Sequence, residues 1–228
     1  MLAYGKNVLL MTEPKKIKKV YLSKTRRDEE VMSFLKNHKI HFVLSDNMVL
    51  NKMVSGNHQG IVFEMDDFEY QSISTLYEDS FVVLLDHLED PHNFGAIIRT
   101  CEAAGIHSII IPKDRQVQVN STVMKTSAGT LDSMNIVSVS NIVNSLEQLK
   151  KAGYWIVGTA LENSVDYREV DYSGKIAIII GNEGSGISQL VSRNCDFLVK
   201  IPMYGTTNSL NASVAAGIMI YEVIRNRK

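Results

Sequence analysis

Between residues 81 and 201, six short apolar runs recur with helix-patterned stretches between them, and no other feature restricts the fold as tightly. The runs fall at 81–86, 108–111, 135–139, 154–160, 175–180 and 197–201; helical patterns fill 94–104, 121–128 and 142–151, and an apolar helix closes the chain. Runs apolar at nearly every position suit strands buried on both faces, and intervening helices make the crossovers that parallel pairing needs. The alternation therefore predicts an α/β fold with a mostly parallel sheet. No apolar run approaches the roughly 20 residues that cross a bilayer, and residues 1–7 lack a signal-peptide core. A cytoplasmic protein with no membrane partner is expected.

Residues 1–60 differ from the rest in charge and in pattern. They carry eleven Lys or Arg against five Asp or Glu, although the whole chain has a net charge of −1. Lys15, Lys16, Lys18, Lys19, Lys24, Arg26 and Arg27 make a local basic field suited to phosphate, or else a solvated lysine face. Strands are predicted at 19–22, 41–44 and 60–63 with a helix at 29–37, which describes a small α/β module. The acidic, polar stretch 66–79 reads as a linker, giving domains at 1–65 and 80–228. Cys101 and Cys195 stand far apart with no CxxC spacing, and both are read as reduced and buried.

In doubly wound sheets ligands gather beyond the carboxyl ends of strands, and three segments placed there are unusual. The first runs from Asp86 through His87, Asp90, Pro91, His92 and Asn93 to Arg99; Asn93 is a plausible helix N-cap. The second is Gly181-Asn182-Glu183-Gly184-Ser185-Gly186, a turn able to expose backbone N–H groups, with Glu183 at its tip. It is neither the dinucleotide fingerprint nor a P-loop. The third is Ile201-Pro202-Met203 followed by Ser209-Leu210-Asn211-Ala212-Ser213 at the entrance of the terminal helix. One cap needs one capping side chain, so three in five positions leave some to face a ligand. Asp86, His87, Asp90 and His92 have no recognised metal-site spacing, and no metal is expected.

Together these motifs, N-x-G-x-x-x-R, G-N-E-G-x-G and I-P-M-x-G-x-x-x-S-L-N-x-S, resemble the signature of the SpoU (TrmH-like) RNA ribose 2′-O-methyltransferases. Tyr4-Gly5-Lys6-Asn7-Val8 and His58-Gln59-Gly60-Ile61 look like the ends of the L30e-like RNA-binding domain of the rRNA-modifying branch. Within the family the chain looks most like enzymes that methylate a guanosine of bacterial 23S rRNA. The resemblance implies a C-terminal trefoil knot, a homodimer, and S-adenosylmethionine bound near Thr159, Ala160, Leu161, Gly181, Ile201, Ser209 and Leu210. It also implies catalytic-site roles for Arg99, Asn93, Glu183, Ser209 and Asn211. Arg99 matches the family's arginine, a poor base because a guanidinium stays charged; binding the target phosphate suits it better. Glu183 and Asn93 would position Arg99, and an active site completed across the dimer is expected. Leu210, Val214, Ile218 and Tyr221 form an apolar stripe fit for that interface or for the domain's own core. Rival expectations are a tRNA guanosine or rRNA adenosine target, or a non-catalytic RNA-binding or assembly factor.

Overall fold

The computed structural model describes residues 1–26, 28–182 and 184–227, so Arg27 and Glu183 lie outside the described residues. Strands and helices follow one another as β1 (Leu2–Tyr4), α1 (Lys6–Met11), β2 (Ile17–Ser23), α2 (Glu29–Asn37), β3 (Phe42–Ser45), α3 (Asn47–Met53) and β4 (Ile61–Met65). Then come β5 (Phe81–Asp86), α4 (Pro91–Ala103), β6 (Ser108–Pro112), α5 (Ser121–Thr126), β7 (Asn135–Val139), α6 (Ile142–Lys151), β8 (Tyr154–Thr159) and β9 (Val165–Asp166). The chain ends with β10 (Lys175–Gly181), α7 (Gln189–Ser192), β11 (Phe197–Lys200) and α8 (Ala212–Arg225). Strands β1 and β9 and helices α1, α3 and α7 were not expected from pattern; the longest of them has seven residues, too few to show a period.

Two compact units result, Met1–Glu69 with Val119–Asp132, and Tyr70–Gln118 with Ser133–Lys228. The first holds a four-stranded sheet in the order β1-β4-β2-β3, with β2 and β3 parallel and the other pairs antiparallel. The segment 119–132, which sequence order places in the second domain, belongs here because α5 packs against α1 and β1. Lys125 Nζ donates to the Asn57 carbonyl at 2.8 Å, and Val8, Met11, Met124 and Leu131 enclose one small cavity. The basic field is largely paired: Lys15 with Glu13, Lys16 with Asp132, Lys18 with Asp66, Lys24 with Asp46 and Arg26 with Asp28. Burial works against charge on Asp28, but bonds from Lys6, Arg26 and the Val31 N–H outweigh it and hold its carboxyl at about 2.

The second unit is built on seven strands in the order β7-β6-β5-β10-β8-β11-β9, every neighbouring pair parallel. Strands β5 and β6 are buried at every position, which is why they read as unbroken apolar runs. Leu84, Ile110, Val137, Ile156 and Ile179 form a core under α6, to which Leu146 and Leu149 contribute. The expected linker is partly absorbed: Leu76 is fully buried in this core, and Gln71 N bonds to the Ile136 carbonyl at 2.8 Å. Tyr154 Oη donates to the Leu76 carbonyl at 2.6 Å, fixing that turn. Both cysteines are free; Cys101 is buried, Cys195 only partly. Burial pushes the Cys195 thiol up to about 12.

Candidate active site

The carboxyl ends of β8, β10 and β11, with the segment entering α8, enclose a cavity of about 670 Å³. That size suits a nucleoside-sized cofactor. Thr159, Ala160 and Leu161 line it beyond β8, Gly181 at the end of β10, Ile201 beyond β11, and Ser209 and Leu210 before α8. All seven positions that family resemblance marks for the cofactor are thus gathered in one space. Backbone and small or apolar groups dominate these positions, which suits a ligand recognised through main-chain N–H and C=O groups rather than through its charge.

The turn after β10 is built around its glycines. A Cβ on Gly181 would overlap the carbonyl carbon of Gly186 and the nitrogen of Ile187, so only glycine lets the two segments cross there. Asn182 and Gly186 exchange backbone bonds at 3.0 and 2.9 Å, and Asn182 Oδ1 accepts from Gly184 N at 2.9 Å and Ser185 N at 3.3 Å. The N–H groups that the sequence suggested were exposed for a ligand are therefore consumed inside the turn. Glu183, proposed at its tip, lies outside the described residues.

The first motif braces the second. Asp86, 1% exposed at the end of β5, bonds through one oxygen to His87 Nδ1 at 2.6 Å and through the other to Ser188 N at 2.7 Å. Asn182 Nδ2 donates to the His87 carbonyl at 2.9 Å. Asp90 caps α4, accepting from His92 N at 2.9 Å with Pro91 at the first helical position. The expected cap at Asn93 is thus displaced: Asp-Pro is the stronger start signal, since proline at the first position has no N–H to leave unpaired. Among the described residues no group of three His, Cys, Asp or Glu side chains is arranged to hold a metal ion.

Displacement from the cap places Asn93 in the first turn of α4, buried, where its Oδ1 accepts from Asn211 Nδ2 at 2.9 Å. Asn211 is itself the cap of α8, its Oδ1 accepting from Ser213 N and Val214 N at 2.9 and 3.3 Å. One residue thus caps α8 and ties it to the front of α4, beside Ser209 and Leu210 of the cavity. Neither Asn93, Asn211 nor Arg99 is among the cavity's lining residues. Arg99 is exposed on α4, and among the described residues no hydrogen bond or ion pair engages its guanidinium. Of the predicted stripe, Val214 and Tyr221 are 50% and 53% exposed, whereas Leu210 and Ile218 are partly buried.

A parallel α/β sheet with a nucleoside-sized cavity beyond its strand ends, closed by a glycine crossing, defines a cofactor-binding enzyme domain of the doubly wound kind. The SpoU rRNA methylase family matches residues 80–221, and the RNA 2′-O ribose methyltransferase substrate-binding family matches residues 2–71. The chain belongs to the SpoU methylase family. It is 39% identical to a TrmH family tRNA/rRNA methyltransferase of Bacillus subtilis, over 98% of this chain and 94% of that protein. An AdoMet-bound rRNA methyltransferase from Sinorhizobium meliloti superposes with a TM-score of 0.80 at 29% identity, covering 98% of this chain and 86% of that one. The SpoU methyltransferase AviRb from Streptomyces viridochromogenes, solved with AdoMet, shares the fold with a TM-score of 0.86 at 24% identity, over 99% of this chain and 89% of that one.

Proposed function

We propose that this chain transfers a methyl group from S-adenosylmethionine to a ribose 2′-hydroxyl of rRNA, a guanosine of 23S rRNA being the preferred target. The observation that carries the reading is the single cavity that gathers Thr159–Leu161, Gly181, Ile201 and Ser209–Leu210. The close approach of Gly181 to Gly186 and the small or apolar residues at most of these seven positions fit a cofactor held through backbone groups. When bound, S-adenosylmethionine supplies an electrophilic methyl on a sulfonium. Thr159–Leu161, Gly181, Ile201 and Ser209–Leu210 would hold it with that methyl open to a ribose oxygen, whose proton would pass to phosphate or water.

What the chain's own side chains supply is placement. Asn211 fixes the start of α8 and, through Asn93, the start of α4. Arg99 binds the target phosphate and orients the hydroxyl rather than taking its proton, since guanidinium groups are poor bases. Glu183 is assigned to the same site. Because Arg99 is exposed and does not line the cavity, the site is read as completed across a homodimer, with the half-exposed Val214 and Tyr221 of α8 in the interface. A trefoil knot is supported by the place of β10, inserted between β5 and the earlier strand β8. Residues 1–65 are assigned to rRNA binding and 80–228 to catalysis, in a cytoplasmic enzyme.

Incubation with methyl-labelled cofactor and fragments of 23S rRNA, 16S rRNA and tRNA tests the reading. Label in a 23S guanosine is expected; label in tRNA or an adenosine would move the target. Cofactor binding without transfer to any RNA would leave only the assembly-factor reading. For Arg99→Ala, turnover at saturating RNA is expected to fall by about a hundredfold or more while cofactor affinity holds. Near-normal turnover would refute the role given to Arg99.

A further inference from the structure

The loop that follows β6 presents two exposed cations, Lys113 and Arg115, on a backbone fastened from three directions. Lys113 N donates to the Val139 carbonyl at 2.9 Å, which ties the loop to the end of β7. Val117 N donates to the Leu88 carbonyl at 2.8 Å, and Leu88 N to Gln116 Oε1 at 2.6 Å, which ties it to the segment leading into α4. Gln118 Nε2 lies within 3.0 to 3.3 Å of the carbonyls of Pro112, Lys113 and Gln116 and so staples the loop to itself. Polar side chains rarely spend so many bonds on a surface loop unless its shape matters.

Two further observations point outward. Arg115 holds a left-handed φ of 49°, a conformation glycine or asparagine adopts more cheaply, at a cost of order 1 kcal/mol for other residues. Its side chain makes no intramolecular use of that strain: among the described residues neither Arg115 nor Lys113 has an ion-pair partner, and Asp114 between them is exposed as well. By contrast Lys6, Lys15, Lys16, Lys18, Lys24 and Arg26 each lie within 3.0 Å of a carboxylate oxygen. These two cations without ion pairs sit at the carboxyl end of β6, one strand spacing of about 4.8 Å from β5, whose carboxyl end leads into the Asn93 and Arg99 helix.

We propose that Lys113 and Arg115 form a phosphate clamp that holds the RNA strand beside the methyl acceptor, the loop's fastenings keeping the two cations in register with the front of α4. The assignment rests on RNA being the substrate. Arginine forks onto phosphate oxygens while lysine contributes a mobile point charge, so the pair combines geometry with attraction. Sequence-independent phosphate contacts of this kind set the placement of a strand rather than the choice of base.

The test uses Arg115→Gly, Lys113→Gln and their combination in the full chain, with binding to fragmented rRNA followed by fluorescence anisotropy across a potassium chloride series. Arg115→Gly is expected to melt no lower than the parent, because glycine relaxes the left-handed residue, and yet to bind RNA several-fold more weakly. The combined variant should lower the dependence of log K on log salt by about 1.4 to 1.8, as two lost phosphate contacts require. Cofactor affinity should not move. An unchanged salt slope with parental RNA affinity would overturn the clamp, and so would weakening of RNA and cofactor binding together with a lowered melting temperature, which would mark a structural role. Binding is read without turnover, so an enzyme that methylates none of these RNAs would refute the proposed function and leave the clamp standing or falling on its own slope.

Discussion

On one side of β5 the sheet continues to β6 and then β7, each strand lying beside the one before it in the chain. On the other side β10 takes the place next to β5, and β8, which comes earlier, is pushed one strand outward. The strands of the first side contain no glycine; β5 and β6 are buried at every position and β7 at its centre by ordinary packing. Those of the second include Gly158 and Gly181, both at points where a Cβ would run into another segment of chain. Side-chain volume is enough to specify the first half. The second also needs missing volume, and it needs polar anchors at the buried Asp86 and the partly buried Asn182 to keep the inserted strand and its turn in place. Consecutive strands usually neighbour one another, so an insertion needs devices of this kind.

Gly181→Ala should break the second half most severely. The atoms its Cβ would meet are backbone atoms of Gly186 and Ile187, which cannot rotate away. A loss of about 3 kcal/mol or more is expected, with cofactor binding abolished, and thermal melting with calorimetric titration would read both. Parental melting together with parental Kd would show that the crossing tolerates side-chain volume and that the two halves are not built differently there.

Asp86→Asn asks whether the anchor between the halves depends on a carboxylate. The substitution keeps the shape, but an amide cannot accept from both Ser188 N and His87. Loss of the partly buried, charge-assisted bond from the Ser188 N–H to the buried Asp86 costs about 2 kcal/mol, which corresponds to a fall in melting temperature of roughly 4 to 8 °C for a chain of this size. A change under 1 °C would mean that Ser188 N finds another acceptor and that the turn is held by its glycines alone.

The two halves were unequally legible in the sequence. Strands β5, β6, β7, β8, β10 and β11 follow from apolar runs, most clearly β5, β6 and β10, where burial on both faces leaves a continuous signature. Their order does not follow, since nothing in a run of isoleucines says which strand it will pair with. The seven positions proposed for the cofactor were reachable only through the resemblance, because Thr159, Ala160 and Leu161 are unremarkable as a tripeptide and share a cavity with Ser209 only through the fold. Asp90 as the cap of α4 was within reach, given proline at the next position; the staples from Gln116 and Gln118 were not, because a glutamine in a loop carries no directional signal.

Asn211→Ala sharpens the comparison where the cavity meets the helices. Removal of an N-cap costs about 1 kcal/mol, and here the bond to Asn93 goes with it. A double-mutant cycle with Asn93→Ala should return a coupling of about 0.5 kcal/mol or more, and methyl transfer should fall more than stability does, because the start of α8 borders the cofactor cavity. Strict additivity would mean that the two asparagines act separately and that the α4 to α8 tie is incidental.

Ile110→Val is the control for the first half and carries the smallest expected effect. Ile110 is fully buried in the core shared with Leu84 and Val137, and loss of one methylene there costs about 1 kcal/mol. The melting temperature should fall by roughly 2 to 4 °C while cofactor Kd stays at the parental value, since nothing on β6 lines the cavity. The contrast with Asn211→Ala is the informative quantity, for the two substitutions cost stability of the same order and touch different halves. If Ile110→Val weakened cofactor binding as much as Asn211→Ala does, the cavity would be reporting global stability, and the division between a packed half and an anchored half would have no functional meaning.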